Sequence, residues 1–154
     1  MSEFRRGVRL GVDVGRARIG VARSDADGML AVPVETVARN DGSISRIVEI
    51  AGEYGPIEIV VGLPLNMRGD DTPSTADARE FAALIAAALP ETGVRLVDER
   101  LSTVSAHTAL RQSGRSQKGS RGIVDQIAAV VFLQHAVDTE KSTGRAPGAL
   151  LDEE

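Results

Sequence analysis

Apolar and polar positions follow two periods along this chain. "VRLGVDV" (8–14) is a near-continuous apolar run of strand length, the pattern of a strand buried on both faces. "RIGVARSD" (18–25) follows after a turn that contains Gly15. "GMLAVPVETVA" (28–38) reads as a third strand. Asp27-Gly28 marks a hairpin turn before it, and Pro33 places it at a sheet edge. From Ser43 the period lengthens, and Ile44, Ile47, Val48 and Ala51 fall on one helical face. "IEIVVGLP" (57–64) is another buried strand. Thr72-Pro73 opens a helix with proline at its first position. Phe81, Leu84, Ile85 and Ala88 make its expected core stripe, and Pro90 ends it. "VRLVDE" (94–99) is a short strand and "STVSAHTAL" (102–110) a short helix. "RQSGRSQKGSRG" (111–122) is a polar Gly/Ser loop, and "IVDQIAAVVFLQHAV" (123–137) a strongly apolar helix. The order βββαβαβαα predicts an α/β fold: a hairpin meander followed by α/β units, hence a mixed sheet with helices on it.

Length and composition narrow the class. The 154 residues suit one domain with a real core, and 42% are hydrophobic. Cysteine is absent, which excludes a disulfide framework and thiolate metal ligation. "MSEFRRG" carries no apolar signal region, and no apolar run reaches the ~20 residues of a membrane span. A cytoplasmic, soluble protein is expected.

The net charge of −4 argues at first against nucleic acid, but its distribution changes that. Residues 1–137 carry 16 Lys+Arg against 17 Asp+Glu, whereas residues 138–154 carry 2 against 5. The imbalance lies mostly in "DTEKSTGRAPGALLDEE", so the expected organisation is one domain over 1–138 and a disordered acidic tail over 139–154. Of the 18 cationic residues 16 are arginine, the better group for bidentate phosphate contacts. A local phosphate-binding surface is compatible with the acidic total.

Three acids stand in unusual places. Asp13 ends the first strand, at the sheet edge where ligands bind in open α/β sheets. Glu99 ends the last predicted strand, and Asp125 shares a helical face with Ala128, Ala129, Phe132 and Ala136. A carboxylate on an apolar face carries a large desolvation penalty unless paired or metal-bound, and converging carboxylates repel. A divalent cation relieves both, and oxygen ligands suit Mg²⁺ or Mn²⁺. Singly, each acid has an ordinary reading: Asp13 as a turn cap, Glu99 as a solvated strand end, Asp125 as a first-turn acid. His107 and His135 are isolated. The three acids are specific only as a set.

"DVGRARIGVA", "VVGLPLNMRGD", "VDERLSTVSA" and "VDQIAAVVFLQ" together resemble the successive motifs of the YqgF/RuvX family, from about Gly7 to Val137 and in the same order. The resemblance implies an RNase H-like fold: a five-stranded mixed sheet with helices on both faces. It also implies nuclease activity, either on the precursor of 16S ribosomal RNA or on four-way DNA (Holliday) junctions. Asp13, Glu99 and Asp125 match the family's catalytic, metal-ligating acids. Arg18 matches the family arginine; Ala17 stands where the pattern carries a base, and Arg16 lies one place earlier. Asn66 is the polar candidate of the second strand-end loop, and Arg100 a candidate phosphate clamp. Arg111, Arg115, Lys118 and Arg121 are expected to hold a nucleic-acid backbone without reading its sequence. With one Tyr, three Phe and no Trp, a wide aromatic stacking platform is not expected.

The expected function is a Mg²⁺- or Mn²⁺-dependent nuclease, inclined to 16S precursor 5′-end processing and ribosome biogenesis. Its partners are a ribosomal RNA precursor or a DNA junction, no membrane, as monomer or homodimer; paired cuts of a junction would favour the dimer. The alternatives are a junction resolvase and a non-catalytic ribosome-assembly factor. An actin-like ATP-binding fold is disfavoured: no Ser or Thr follows Gly15, and the chain is too short for two such domains.

Overall fold

The computed structural model describes residues 4–99 and 117–151, with side chains in the second segment from Gln126 onward. The elements are β1 (Arg9–Val14), β2 (Arg18–Ser24), β3 (Ala31–Ala38), α1 (Ser43–Tyr54), β4 (Glu58–Leu63), α2 (Pro73–Ala88), β5 (Gly93–Asp98), α3 (Gln117–Thr143) and β6 (Ala149–Leu150). The strands form one sheet in the order β3-β2-β1-β4-β5-β6. β1, β4 and β5 are parallel neighbours; β1–β2, β2–β3 and β5–β6 are antiparallel. Pro33 does lie on the edge strand, as expected. Beside it the register slips by one residue, leaving Val34 without an opposite.

The strands alternate their side chains between two cores. Leu10, Val12, Ile19, Val21, Ile59, Val61, Val94 and Leu96 face α1 and α2. Ala22, Val60 and Val97 face α3, where Ala129, Phe132, Leu133 and Ala136 close over them. Helices therefore cover both faces, and the α/β mixed sheet is as expected. α3 is also stitched to the edge strand: Gln126 Nε2 donates to Thr36 Oγ1 at 2.6 Å, and Ala31 N donates to Gln134 Oε1 at 2.7 Å.

Four expectations are corrected. The sheet has six strands rather than five, because Ala149 and Leu150 pair with Leu96 and Arg95; a two-residue strand is too short to carry a period. Residues 139–150 do not form a disordered tail. α3 continues to Thr143, and Glu140 is buried in an ion cluster, so the tail's polar composition hides one deeply anchored acid. Residues 117–122, read as loop, are helical: propensity is a weak prior, and a helix anchored by packing propagates through glycines that cost about 1 kcal/mol each. In α2, Leu84 and Ala88 are exposed, and the buried stripe is Thr75, Ala78, Phe81, Ala82 and Ile85. An alanine-rich helix offers several equivalent stripes, and Leu84 points away from the one that packs. The helix expected over 102–110 lies outside the described residues.

Candidate active site

The site is built by strand alternation. On β1, position 11 faces α3: a Cβ there would stand 3.0 Å from Leu133 Cβ and 3.2 Å from the Ala129 carbonyl. Asp13, two residues on, therefore points to the same side. It pairs with Gly20 of β2 and is half-buried. On β4, Val12 pairs with Val61, so Gly62 comes level with Asp13. On β5, Gly62 pairs with Val97 and Leu63 with Asp98. Glu99 follows at once, held by its N–H donating to the Leu63 carbonyl at 3.3 Å. The residue is 6% exposed. Any Cβ on residue 62 would overlap the Glu99 Oε2 and approach Phe132 Cε2 at 2.9 Å. Gly62 is therefore the space in which the Glu99 carboxyl lies. Asp13 and Glu99 thus occupy one edge and one face of the sheet, on strands separated only by β4.

The third acid, Asp125, is in α3, one turn before Ala129; its side chain lies outside the described residues. Among the described residues no group of three or more His, Cys, Asp or Glu gathers as a metal site. The described pair is an oxygen-only donor set, suited to a hard divalent ion. A carboxylate buried against Phe132 and a glycine also needs a counter-charge. On those grounds the residues present fit such an ion.

The turn after Asp13 is firmly braced. Gly15 N donates to the Arg18 carbonyl at 2.9 Å, and Arg39 N to the Ala17 carbonyl at 3.0 Å. Arg39 also places its guanidinium on the Gly15 carbonyl (2.9 Å) and on both oxygens of Asp77 (2.9 and 2.8 Å), over the Phe81 ring. The Asp77 carboxylate raises the Arg39 pKa, and Arg39 in turn holds Asp77 below the usual carboxylate range. Arg16 is exposed on this turn; Arg18, half-buried, begins β2. Asn66 is exposed, but its Oδ1 accepts the N–H groups of Arg68 and Asp70, both at 2.9 Å. Its carbonyl oxygen thus staples its own loop. Arg100, Arg111 and Arg115 lie outside the described residues; Lys118 and Arg121 are in α3, their side chains likewise undescribed.

Sequence reasoning missed the Arg39–Asp77 clamp, which no local pattern announces. It also missed an ion cluster at the opposite end of the α3 face. There Glu140 accepts from Arg5 (2.9 Å from N, 2.8 Å from Nη2) and from Arg9 Nη2 (2.9 Å). Glu58 accepts from Arg5 Nη2 (3.1 Å) and Arg95 Nε (3.2 Å). Its signal was present: Arg9, Glu58 and Arg95 are charged residues inside otherwise apolar strands.

A family model described as RuvX, Holliday junction resolvase, matches residues 7–139. This chain belongs to the RuvX family. A RuvX relative from Leifsonia xyli subsp. xyli is 57% identical over 149 residues, 94% of each chain. One from Nocardioides sp. is 53% identical over 155 residues, 97% of this chain and 99% of its own. Both are named as candidate pre-16S rRNA nucleases. Among solved structures, Thermus thermophilus RuvC in complex with a Holliday junction substrate is similar at a TM-score of 0.57. It covers 93% of this chain and 98% of its own at 18% identity. That likeness is one of fold, and it agrees with the RNase H-like architecture expected for RuvX. No helix among the described residues is long and apolar enough to cross a membrane.

Proposed function

We propose that this chain is a divalent-metal-dependent nuclease that hydrolyses phosphodiester bonds in a 16S ribosomal RNA precursor. One observation carries the reading: the fold brings Asp13 and Glu99 to the same edge and face of the sheet, with Gly62 clearing the space between. The names of the relatives support the RNA substrate. Asp13 and Glu99, with Asp125 from α3, are the residues that would hold Mg²⁺ or Mn²⁺. Such an ion, when bound, activates water and stabilises charge on phosphate oxygens.

The remaining work falls to the protein's own groups. The buried backbone of β4 and β5 fixes Glu99, and the Arg39 clamp fixes the turn beyond Asp13, so both carboxylates are held before substrate arrives. Arg16 and Arg18 supply positive charge on the turn beyond Asp13 for the substrate backbone, and Arg100, Arg111, Arg115, Lys118 and Arg121 are the further basic residues we assign to backbone contacts. These contacts would be sequence-independent and weakened by salt.

The family model's description favours a second substrate, the four-way DNA junction. One experiment tests both: cleavage of a labelled RNA carrying a 16S precursor end and of a labelled four-way junction. Each is incubated with Mg²⁺, Mn²⁺ or chelator, using wild type and Asp13→Asn. Metal-dependent cutting of the RNA, lost in the variant, is expected. Preferential cutting of the junction would transfer the assignment to resolution. Binding without cutting by wild type would sink the nuclease reading and leave an assembly factor.

A further inference from the structure

Residues 64–72 join β4 to α2 at the edge that holds Asp13 and Glu99. This loop is built as a rigid turn. Asn66 N donates to the Asp70 carbonyl at 3.0 Å, and Gly69 N to the Asn66 carbonyl at 2.9 Å. The Asn66 side chain accepts two more backbone N–H groups, as described above. Gly69 takes a left-handed φ of +84°, which glycine adopts without strain. Beyond the turn, Thr75 Oγ1 donates to the Pro64 carbonyl at 2.6 Å and ties the loop to the start of α2. This bracing holds Met67 at the surface: it is 92% exposed, the most exposed of the large hydrophobic residues described.

Its position separates it from the others. Met29 and Leu30 lie at the β2–β3 turn and Ile57 just before β4, all at the opposite end of the parallel strands; Leu84 is on the outer side of α2. The chain has four aromatic residues, and none is available at the site edge. Phe81 and Phe132 are buried, Tyr54 lies under Arg23, and Phe4 lies under Arg9. A protein that acts on nucleic acid at this edge has one described large apolar group to set against bases, and Arg68 stands exposed next to it.

We propose that Met67 is a wedge that enters the base stack of the substrate at a helix end or branch point, with Arg68 on the adjoining phosphate. Apolar side chains inserted at a base step unstack it and bend the strand, which here would turn the backbone toward Asp13 and Glu99. The proposal rests on the nucleic-acid substrate of the preceding section. In this loop base contact falls to Met67, which the turn presents, while the Asn66 oxygen holds the turn.

The test reads unstacking rather than cutting. Two probes carry 2-aminopurine: a four-way DNA junction, at the base beside the branch, and an RNA stem with a 16S precursor end, at the base closing the stem. The protein carries Asp13→Asn so that the probes stay intact. Binding should raise the fluorescence of at least one probe about threefold or more, the sign of an unstacked base. Adding Met67→Ala should remove most of that rise, while Met67→Leu keeps it. The dissociation constant should shift by less than about tenfold, since phosphate contacts dominate affinity. Met29→Ala, exposed at the far end, should match its parent. The melting temperature of Met67→Ala should change little, because the residue is 92% exposed. An undiminished rise with Met67→Ala, or binding by the parent with no rise in either probe, overturns the wedge. Failure of the parent to bind either probe overturns the nucleic-acid reading as well. Met67-dependent unstacking by a protein whose wild type cuts nothing would sustain the wedge and sink only the nuclease.

Discussion

Gly62→Ala places one methyl group where the structure has room for a hydrogen. The new Cβ would overlap the Glu99 carboxyl and stand 2.9 Å from Phe132 Cε2, where carbon atoms pack at about 3.5–4.0 Å. Neither neighbour is the loose end of a surface side chain: Glu99 and Phe132 are both buried, so relaxation must displace one of them. Overpacking of this kind costs about 1–3 kcal/mol. At about 2–4 °C per kcal/mol for a chain of this size, the melting temperature should fall by about 2–12 °C. Displacing Glu99 by even ~1 Å should also lower cleavage about a hundredfold, measured well below the melting point. Gly52→Ala is the matched control. It sits in α1 with nothing within 4 Å of the new Cβ, and should stabilise the protein by up to ~1 kcal/mol with cleavage unchanged. Thermal unfolding and single-turnover cleavage of the three proteins decide the matter. A Gly62→Ala protein that melts and cuts like wild type would refute the claim that this glycine makes the Glu99 site.

Glu140→Ala strands the buried Arg9 guanidinium and should destabilise by about 3–5 kcal/mol in urea titration; a change under ~1 kcal/mol would return residues 139–150 to the status of a tail. Burial alone would raise the Glu140 pKa, but hydrogen bonds from Arg5 and the charge of Arg9 hold it below the ordinary 4.5. A depressed folded-state pKa gives stability that is present above 4.5 and lost as pH falls beneath it, so urea midpoints should drop in that window and do so less steeply in Glu140→Gln. Arg39→Lys loses the fork that spans Asp77 and the Gly15 carbonyl. Because Asp77 is partly solvated, the stability loss should be only about 1 kcal/mol, whereas cleavage should fall further than that loss explains; equal activity would show that the turn needs no clamp.

The central strands β1, β2, β4 and β5 were legible as short, largely apolar runs whose ends fell within a residue of those expected; the edge strand β3 starts three residues later than expected, and the two-residue β6 carried no period to find. The positions of Asp13 and Glu99 at strand ends were legible for the same reason, as acids that interrupt or end such runs. What stayed hidden depends on partners distant in sequence. Arg39 looks like an ordinary charged residue after an edge strand until Asp77, 38 positions on, is seen across from it. Glu140 sits in a polar stretch whose composition spells disorder, and only Arg5 and Arg9, more than 130 residues away, make it a core residue. Asn66 was noticed for its polarity, yet a polar side chain in a tight turn is as apt to serve its own backbone as a ligand.

One spacing links the two ends of the α3 face. Arg9 and Asp13 on β1, Glu58 and Gly62 on β4, and Arg95 on β5 with Glu99 just past its end, are each four residues apart. Strand alternation puts all six on the same side of the sheet, with Gly11, Val60 and Val97 between. The near end satisfies its charges internally: three arginines meet two glutamates, one of them from the last turns of α3. The far end gathers the Asp13 and Glu99 carboxylates, an oxygen donor set of the kind a hard divalent cation takes. α3 lies over both, fixed at Glu140 and resting on Gly11 and Gly62. A one-residue slip of any of the three strands would turn its two positions to the opposite core, breaking the anchor and the site together. The buried ion cluster therefore does more than close the bottom of the sheet. It sets the register on which the position of Asp13 and Glu99 depends, and the helix it pins is the one that carries Asp125.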